Sequence, residues 1–305
     1  MFSLGFDIGG TTVKAGLVDG EYRVVEKLSA PTPYGSAEKL ADTVKTLAER
    51  LSAGVETAHI GVTVPGTFDK EGNVKRLCNI GLNDFPLVGM LRERLGRTAA
   101  LYNDADAAAL AELKTGSLRG AETGVLVTIG TGIGCGIIMN GRLFTGGLGR
   151  GTELGHTVLD RGGKLCSCGN RGCAETVCSA TALNALAQAA CNRREGMIYF
   201  RYAQGAAPDA KLLIDCAMAG DEYAINAFEG YTDAFSDLLA SIVNFIDPQI
   251  IAIGGGVSGA GEFLLEPLRK KTAAKAFFGS CGSIVAAACG NDAGMIGAAI
   301  PVGIE

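Results

Sequence analysis

The fold is decided by the stretch LGFDIGGTTVKAGLV (Leu4–Val18), which ends before Asp19-Gly20. A turn of two glycines and two threonines, Gly9–Thr12, separates two short apolar runs here, and this pattern predicts two strands joined by a tight turn. The Asp-Gly pair stands before a further run, Tyr22–Leu28, and such a pair between apolar runs is a strong hairpin signal. The stretch therefore predicts a strand, a glycine turn, a second strand and a hairpin.

The same pattern occurs a second time in VLVTIGTGIGCGIIM (Val125–Met139). Subtracting 121 places Gly130 on Gly9 and the Asn-Gly pair at 140–141 on the Asp-Gly pair at 19–20. Local hairpin chemistry can produce one such match by chance. The repeated order of strand, Gly-Thr turn, strand and hairpin favours a duplicated α/β domain.

Helices are expected between the strands. Apolar residues recur at helical spacing over Ser36–Leu51, with Ser36 as the N-cap, and over Glu222–Phe245, with Asp221 as the N-cap. Strands that alternate with helices imply a parallel sheet covered by helices. No low-complexity linker divides the 305 residues, so we expect two packed domains with a cleft.

Composition excludes several classes of protein. Charged residues make up 19% and hydrophobic residues 48% of the chain, which argues against disorder, and the 45 glycines have no collagen period. A net charge of −5 does not fit a dedicated nucleic-acid binder. The N-terminus has no signal-peptide pattern and no stretch is typical of a membrane span, so a cytoplasmic protein is expected. Its ten cysteines are then thiols or metal ligands.

Three glycine-rich turns, at Gly9–Thr12, Gly130–Gly134 and Gly254–Gly256, allow backbone N–H groups to approach a phosphate. Most such turns only reverse the chain, and the P-loop pattern is absent. Asp7 favours phosphate binding, because a carboxylate on the first strand can hold a hydrated Mg²⁺ that bridges phosphates. Lys14 either adds a positive charge to that site or lines the next strand.

A compact set of metal ligands is found near the middle of the chain. Cys166, Cys168 and Cys173 lie within eight residues, and His156 lies ten residues before them. Three thiolates and one imidazole fill a tetrahedral Zn²⁺ shell and leave no position for water, so the ion is expected to be structural. The alternative is a group of buried or redox-active thiols. His59 precedes an apolar strand and is expected to have no ligand role.

Together these features resemble the ROK family of sugar kinases (repressor, open reading frame, kinase), which is part of the actin-like ATPase superfamily. The resemblance covers almost the whole chain, and its most specific part runs from Glu153 to Glu175. It implies an α/β fold of two actin-like (ribonuclease H-like) domains around a cleft, with a zinc-binding loop. The smaller domain would comprise residues 1–117 plus a C-terminal helix at about 292–305, and the larger residues 118–291.

The resemblance also assigns the cofactors ATP, Mg²⁺ and structural Zn²⁺. The glycine turns match the family's two phosphate motifs and its adenosine motif. The residues expected to bind the nucleotide and its metal are Asp7, Gly9, Gly10, Thr11, Thr12, Lys14, Thr131, Gly132, Gly255 and Gly256.

For the sugar, the resemblance makes Asp104 the catalytic base and Asn103 a hydrogen-bonding partner of the substrate. Asp104 could instead cap the helix that follows the strand ending at Tyr102, and Asp106 is an alternative candidate for the same cap. The residues expected to contact the sugar are Gly66, Asn79, Asn103, Asp104, Glu153, His156 and Glu175. Without the resemblance, Glu153 and Glu175 would be interpreted as surface carboxylates.

The implied activity is transfer of the γ-phosphoryl group of ATP to the 6-hydroxyl of a hexose, with glucose as the expected acceptor and a role in glycolysis. Glucose-specific members often carry Asn-x-x-Gly-Trp, whereas this chain reads Asn79-Ile80-Gly81-Leu82-Asn83 and has no Trp, so N-acetylmannosamine, N-acetylglucosamine, allose and fructose stay open. A sugar-sensing repressor would need a DNA-reading module before the first motif, and no nucleic-acid or membrane partner is expected. A catalytically inactive sugar-binding regulator is a further alternative, and family members are often homodimers.

Overall fold

The structure is a computed structural model that describes residues 1–149 and 151–302, without the side chain of Cys78. Its strands are β1 (Phe2–Ile8), β2 (Thr12–Val18), β3 (Val24–Pro31), β4 (Thr57–Val64), β5 (Thr67–Phe68), β6 (Val74–Leu77), β7 (Leu82–Phe85), β8 (Ala100–Asn103), β9 (Gly124–Ile129), β10 (Ile133–Met139), β11 (Arg142–Phe144), β12 (Ile250–Gly254) and β13 (Ser283–Ala286). Its helices are α1 (Ala37–Leu51), α2 (Leu87–Leu95), α3 (Asp104–Thr115), α4 (Glu175–Cys178), α5 (Ala180–Arg193), α6 (Gly196–Ala203), α7 (Ala210–Met218), α8 (Glu222–Ile246), α9 (Glu262–Lys275) and α10 (Ala293–Ala298).

Two five-stranded sheets have the same strand order, β3-β2-β1-β4-β8 and β11-β10-β9-β12-β13. In the first sheet the three N-terminal strands pair antiparallel. Strand β4 then pairs in parallel with β1, and β8 pairs in parallel with β4. In the second sheet β12 pairs in parallel with both β9 and β13. The duplication is therefore confirmed, and β10 lies 121 residues after β2 as the sequence offset predicts. A small sheet, β5-β6-β7, completes the mixed α/β fold.

The chain forms two compact units. The first comprises Met1–Gly120, Gly136–Thr152 and the segment from Cys289 onward, and the second comprises Ala121–Cys135 and Glu153–Ala288. The sequence-based division at 117/118 and 291/292 lies three residues from the boundaries at 120/121 and 288/289, and it left 136–152 in the larger domain. The physical reason is that β11 packs against α3 of the first unit.

Two helices begin where their capping residues predict. The Ser36 hydroxyl accepts a hydrogen bond from the Lys39 N–H at 3.3 Å, at the start of α1. The Asp221 carboxylate accepts one from the Ala224 N–H at 2.8 Å, at the start of α8. Each cap satisfies a backbone donor that the helix cannot satisfy itself. No helix among the described residues is both long and apolar enough to cross a bilayer.

The short helix α10 packs against β1, β2, β4 and α3 of the first unit. Its contacts are backbone to backbone: a Cβ added to Gly61 would stand 1.9 Å from the Ala298 carbonyl oxygen, and one added to Gly297 would stand 1.7 Å from that of Ala107. The expected helix at 292–305 is therefore only partly correct. It ends at Ala298, because Pro301 disfavours helical backbone at the residue before it and has no N–H to donate. Residues 303–305 lie outside the described part.

Candidate active site

The first glycine turn lies at the carboxyl end of β1, beside Asp7. Thr63, the parallel neighbour of Asp7 on β4, donates its hydroxyl hydrogen to Asp7 Oδ1 at 2.9 Å. Lys14, the antiparallel neighbour on β2, places Nζ 3.8 Å from Asp7 Oδ2 and donates to the Asn291 carbonyl at 2.9 Å. The carboxylate predicted to hold Mg²⁺ is thus oriented by a hydroxyl and adjoins an ammonium. Sequence reasoning did not identify Thr63, and only the strand register could have found it.

The first glycine turn is stabilised by a hydrogen bond within it and by a hydrogen bond from Thr32. The Gly9 N–H donates to the Thr12 carbonyl at 3.0 Å, while the Thr32 hydroxyl donates to the Gly9 carbonyl at 2.8 Å. Gly10 and Thr11, at its tip, are exposed. A rigid turn with an exposed tip and a nearby Lys is suited to bind an anionic group.

Asn103 and Asp104 lie at the carboxyl end of β8 and the start of α3. Asn103 Oδ1 accepts from the N–H groups of Ala105 (2.9 Å) and Asp106 (3.3 Å), so Asn103 is the N-cap, the role that the sequence left open for Asp104 or Asp106. Asp104 Oδ1 also accepts from the Ala105 N–H at 2.9 Å, and its side chain is exposed. Asp106 is 5% exposed. Of the two acids, Asp104 is therefore the one accessible to a substrate.

The other sugar-site candidates of the first unit lie near the same sheet edge. Val64 pairs with Asn103, so Gly66, two residues after β4 ends, follows the neighbouring strand. Asn79 is exposed and lies in the single turn Cys78–Ile80, and its Cβ is 3.6 Å from the position that a Cβ on Gly10 would take. The structure therefore groups these residues around the carboxyl ends of β1, β4 and β8.

In the second unit, Glu175 is bound directly to the second glycine turn. Glu175 Oε2 accepts a hydrogen bond from the Ile133 N–H at 3.2 Å. A Cβ on Gly132 would stand 2.0 Å from the same oxygen, so the carboxylate occupies space that any larger residue at 132 would need. Glu175 is also the first residue of α4. A predicted sugar ligand and a predicted phosphate turn are thus in contact.

A cavity of about 620 Å³ lies against the second and third glycine turns, within the size range of small-molecule sites. Thr131 and Gly256 line it, while Gly132 and Gly255 adjoin them in the chain. Other polar residues that line this cavity lie on or next to α5 and α7. Sequence reasoning missed them, because these two helices carry no motif. These residues are Asn184, Asp209, Lys211 and Asp215.

The four predicted metal ligands converge. Their ligand atoms lie within 4.8 Å of one another, with His156 Nδ1 3.5 Å from Cys166 Sγ and Cys168 Sγ 3.6 Å from Cys173 Sγ. Sulfur atoms on one tetrahedral Zn²⁺ are roughly 3.8 Å apart, given Zn–S bonds of about 2.3 Å. The donor set and the spacing therefore fit zinc. The Asn170 N–H lowers the pKa of the Cys168 thiol, whereas burial raises the pKa of the Cys173 thiol to about 12, so metal binding must release protons.

His156 has its two ring nitrogens in different surroundings. Nδ1 faces the Cys166 sulfur, and Nε2 lies 4.0 Å from Glu153 Oε2. On the other side, Glu175 Oε1 is 3.9 Å from Cys166 Sγ. The ligand cluster therefore holds the imidazole with its second nitrogen directed at a carboxylate, an arrangement that fixes ring orientation at metal sites.

His59, the second histidine, has a structural role. Its Nε2 is 3.1 Å from the Ala298 carbonyl oxygen and 3.4 Å from the Tyr102 hydroxyl. Burial lowers the pKa of His59, so the ring is neutral near pH 7. The expectation that His59 is not a ligand agrees with these contacts.

Comparison with known proteins identifies the family. The model of the ROK family matches residues 3–303. The chain is 36% identical over 305 residues to the glucokinase of Thermotoga maritima (97% of this chain, 95% of the relative) and 33% identical over 304 residues to the N-acetylmannosamine kinase of Citrobacter koseri (98% of each). The crystal structure of a ROK family glucokinase from Streptomyces griseus, in complex with glucose and AMPPNP, is 31% identical and superposes with a TM-score of 0.83 over 98% of both chains. The chain belongs to the ROK family.

Proposed function

We propose that the protein is an ATP-dependent hexose kinase that transfers the γ-phosphoryl group of ATP to the 6-hydroxyl of glucose. The observation that carries this proposal is the exposed Asp104 carboxylate beside Asn103, at the sheet edge that also holds the Asp7 turn. The relatives of this protein support glucose as the substrate. Two of the three described above are glucokinases, and the crystal structure of one of these contains glucose together with an ATP analogue.

Asp104 accepts the proton of the sugar 6-hydroxyl as that oxygen attacks the γ-phosphorus, while the bond from this phosphorus to the bridging oxygen of the β-phosphate breaks and ADP leaves. A positioned general base contributes about 10²–10⁴-fold to such a step. Asn103 uses its carbonyl oxygen for the helix cap, so its amide NH₂ group donates to a sugar hydroxyl. Gly66 and Asn79 complete the sugar contacts of the first unit.

The glycine turns hold the nucleotide. Backbone N–H groups of the first turn bind the phosphates, together with Thr11, Thr12 and Lys14. Asp7 would hold Mg²⁺, which neutralises charge on the phosphates when it is bound. The cavity lined by Thr131 and Gly256 is the size of a nucleoside site and takes the adenosine.

The second unit supplies three further sugar ligands, Glu153, His156 and Glu175. His156, Cys166, Cys168 and Cys173 would hold a structural Zn²⁺, and metal binding through Nδ1 would fix the His156 ring so that Nε2 can bind a sugar hydroxyl. Four protein ligands leave this ion no open position, so it takes no part in phosphoryl transfer.

We further propose that the protein is a cytoplasmic homodimer. Ten cysteines in one chain fit a reducing compartment, and the resemblance to the ROK family supports the dimer. Light scattering of the purified protein across concentration tests the oligomeric state.

The test of the proposed function is ADP release from Mg-ATP with glucose, mannose, fructose, allose, N-acetylglucosamine or N-acetylmannosamine. We expect rapid turnover with glucose and turnover lowered by about 10²–10⁴-fold in the Asp104→Asn variant. Turnover confined to N-acetylmannosamine would replace glucose by that sugar, which the Citrobacter koseri relative makes the second candidate. No turnover with any sugar, while a sugar still raises the melting temperature, would replace the kinase by a sugar-binding regulator.

A further inference from the structure

Tyr34 is a large aromatic residue in an exposed position next to the first unit's candidate sugar residues. It lies in the loop from β3 to α1, and its side chain is 77% exposed. No hydrogen bond or ring contact to Tyr34 is made within residues 1–149 and 151–302. An exposed aromatic ring of this kind has no evident role in the core.

The loop that carries Tyr34 is anchored on both sides. Two residues before the tyrosine, Thr32 bonds to the first glycine turn through its N–H, at 3.0 Å from the Thr11 carbonyl, and through its hydroxyl. One residue after it, the Gly35 N–H donates to the Ile80 carbonyl at 2.8 Å. The backbone at Tyr34 is therefore fixed between the first glycine turn and the segment that contains Asn79.

The ring lies directly on that segment. Cζ and the hydroxyl oxygen of Tyr34 are 2.8 and 3.0 Å from the position that a Cβ on Gly81 would occupy. Gly81 has φ +70°, a conformation that a larger residue adopts only with strain. A glycine is thus required both by the backbone and by the ring, which covers the chain two residues after Asn79.

We propose that Tyr34 is a further sugar-binding residue, which forms an aromatic wall for the acceptor hexose held by Asn79. This inference rests on the proposed function. Hexoses present C–H groups on their faces, and binding pockets combine aromatic surfaces for such groups with a few polar contacts. Because the loop backbone on both sides of Tyr34 is anchored before a sugar arrives, the contact needs to order only the Tyr34 side chain.

The test compares wild type with Tyr34→Ala and Tyr34→Phe in steady-state kinetics and in calorimetric sugar binding. An aromatic contact of this class corresponds to about a three- to tenfold change in binding, so we expect Tyr34→Ala to raise KM and Kd for the sugar by that factor. KM for ATP should stay unchanged, and Tyr34→Phe should behave like wild type. The matched control is Tyr202→Ala, another exposed tyrosine, on α6 of the second unit, which should change nothing.

The outcomes separate the two proposals. If the wild type phosphorylates a sugar and its KM and Kd for that sugar equal those of Tyr34→Ala, the proposed role of Tyr34 is wrong while the proposed kinase activity stands. A rise in KM for ATP equal to that for the sugar also overturns it, because the ring would then act through the glycine turn. Wild type that binds a sugar without turnover overturns the kinase, while the ratio of Kd values still decides on Tyr34. Wild type that binds no hexose overturns both.

Discussion

The contact between Glu175 and the second glycine turn predicts that Gly132→Ala lowers the free energy of unfolding when Glu175 is present and raises it when Glu175 is shortened. A Cβ at position 132 would stand 2.0 Å from Glu175 Oε2, so Gly132→Ala must displace the carboxylate. The Ile133 N–H then loses its acceptor at 3.2 Å, at a residue only 7% exposed. An unsatisfied buried donor costs about 1–3 kcal/mol, so we expect the free energy of unfolding to fall by that amount.

The effect should reverse when Glu175 is shortened. In a Glu175→Ala background the three atoms nearest to a Cβ at residue 132 are removed, and the hydrogen bond to the Ile133 N–H is already lost. Gly132 does not have a positive φ, so alanine fits its backbone. A compatible Gly→Ala exchange stabilises by about 0.4–1 kcal/mol, because it restricts the unfolded chain. Gly132→Ala should therefore destabilise the wild type and slightly stabilise the Glu175→Ala variant.

Urea unfolding of the four proteins of this double-mutant cycle measures both values. The coupling free energy should be about 1.5–4 kcal/mol, the difference between the two expected effects. In parallel, kcat/KM for the sugar should fall roughly ten- to hundredfold in Gly132→Ala, since a hydrogen bond to a charged group is lost from the proposed sugar site. Equal destabilisation by Gly132→Ala in both backgrounds would refute the steric argument, whatever happens to activity.

Three further predictions concern individual side chains. Asp104→Asn should lower kcat by about 10²–10⁴-fold while calorimetric sugar affinity stays near wild type, and the reverse pattern would remove Asp104 as the base. Cys168→Ser should lower both zinc content and melting temperature, whereas Cys281→Ser, a thiol outside the cluster, should alter neither; unchanged zinc in Cys168→Ser would contradict the ligand set. Burial lowers the pKa of His59, so its stabilising effect is complete above the unfolded value of 6.5 and is lost as the pH falls through the folded pKa. The loss of unfolding free energy between about pH 7.5 and about pH 5.5 should thus be smaller in His59→Gln, and an equal loss would show that another group titrates.

Features that are local in the chain were predictable from the sequence. The glycine turns repeat at a constant offset because each is fixed by a few adjacent residues, and the caps at Ser36 and Asp221 depend on a hydrogen bond only three residues long. The four candidate metal ligands were equally predictable, since three of them lie in the short loop Cys166–Cys173 and His156 precedes it by ten residues. Family resemblance, rather than spacing, supplied the roles of the sugar-site residues.

Features that depend on distant parts of the chain were not predictable. Thr63 reaches Asp7 only through the register of two parallel strands that are 56 residues apart. The sequence offered Asp104 and Asp106 as N-caps of α3, whereas the backbone geometry gives that role to Asn103. Lys211 and Asp215 belong to the nucleoside-sized cavity because α7 packs there, a tertiary fact with no sequence motif.

The position of α10 has a consequence for synthesis of the protein. Gly61 and Gly297 let this helix sit backbone to backbone in the first unit, so that unit cannot complete its packing until Ala298 has been made. Roughly 180 residues separate Gly120 from that point. At about 5–20 residues per second, a ribosome needs on the order of ten to forty seconds to add them. Throughout that interval the nascent N-terminal sheet keeps one face uncovered. The residues of the second unit, in contrast, have all been synthesised before α10 is made. The N-terminal unit is therefore the last to finish folding, and its glycine-lined face is the surface that chaperones would have to protect.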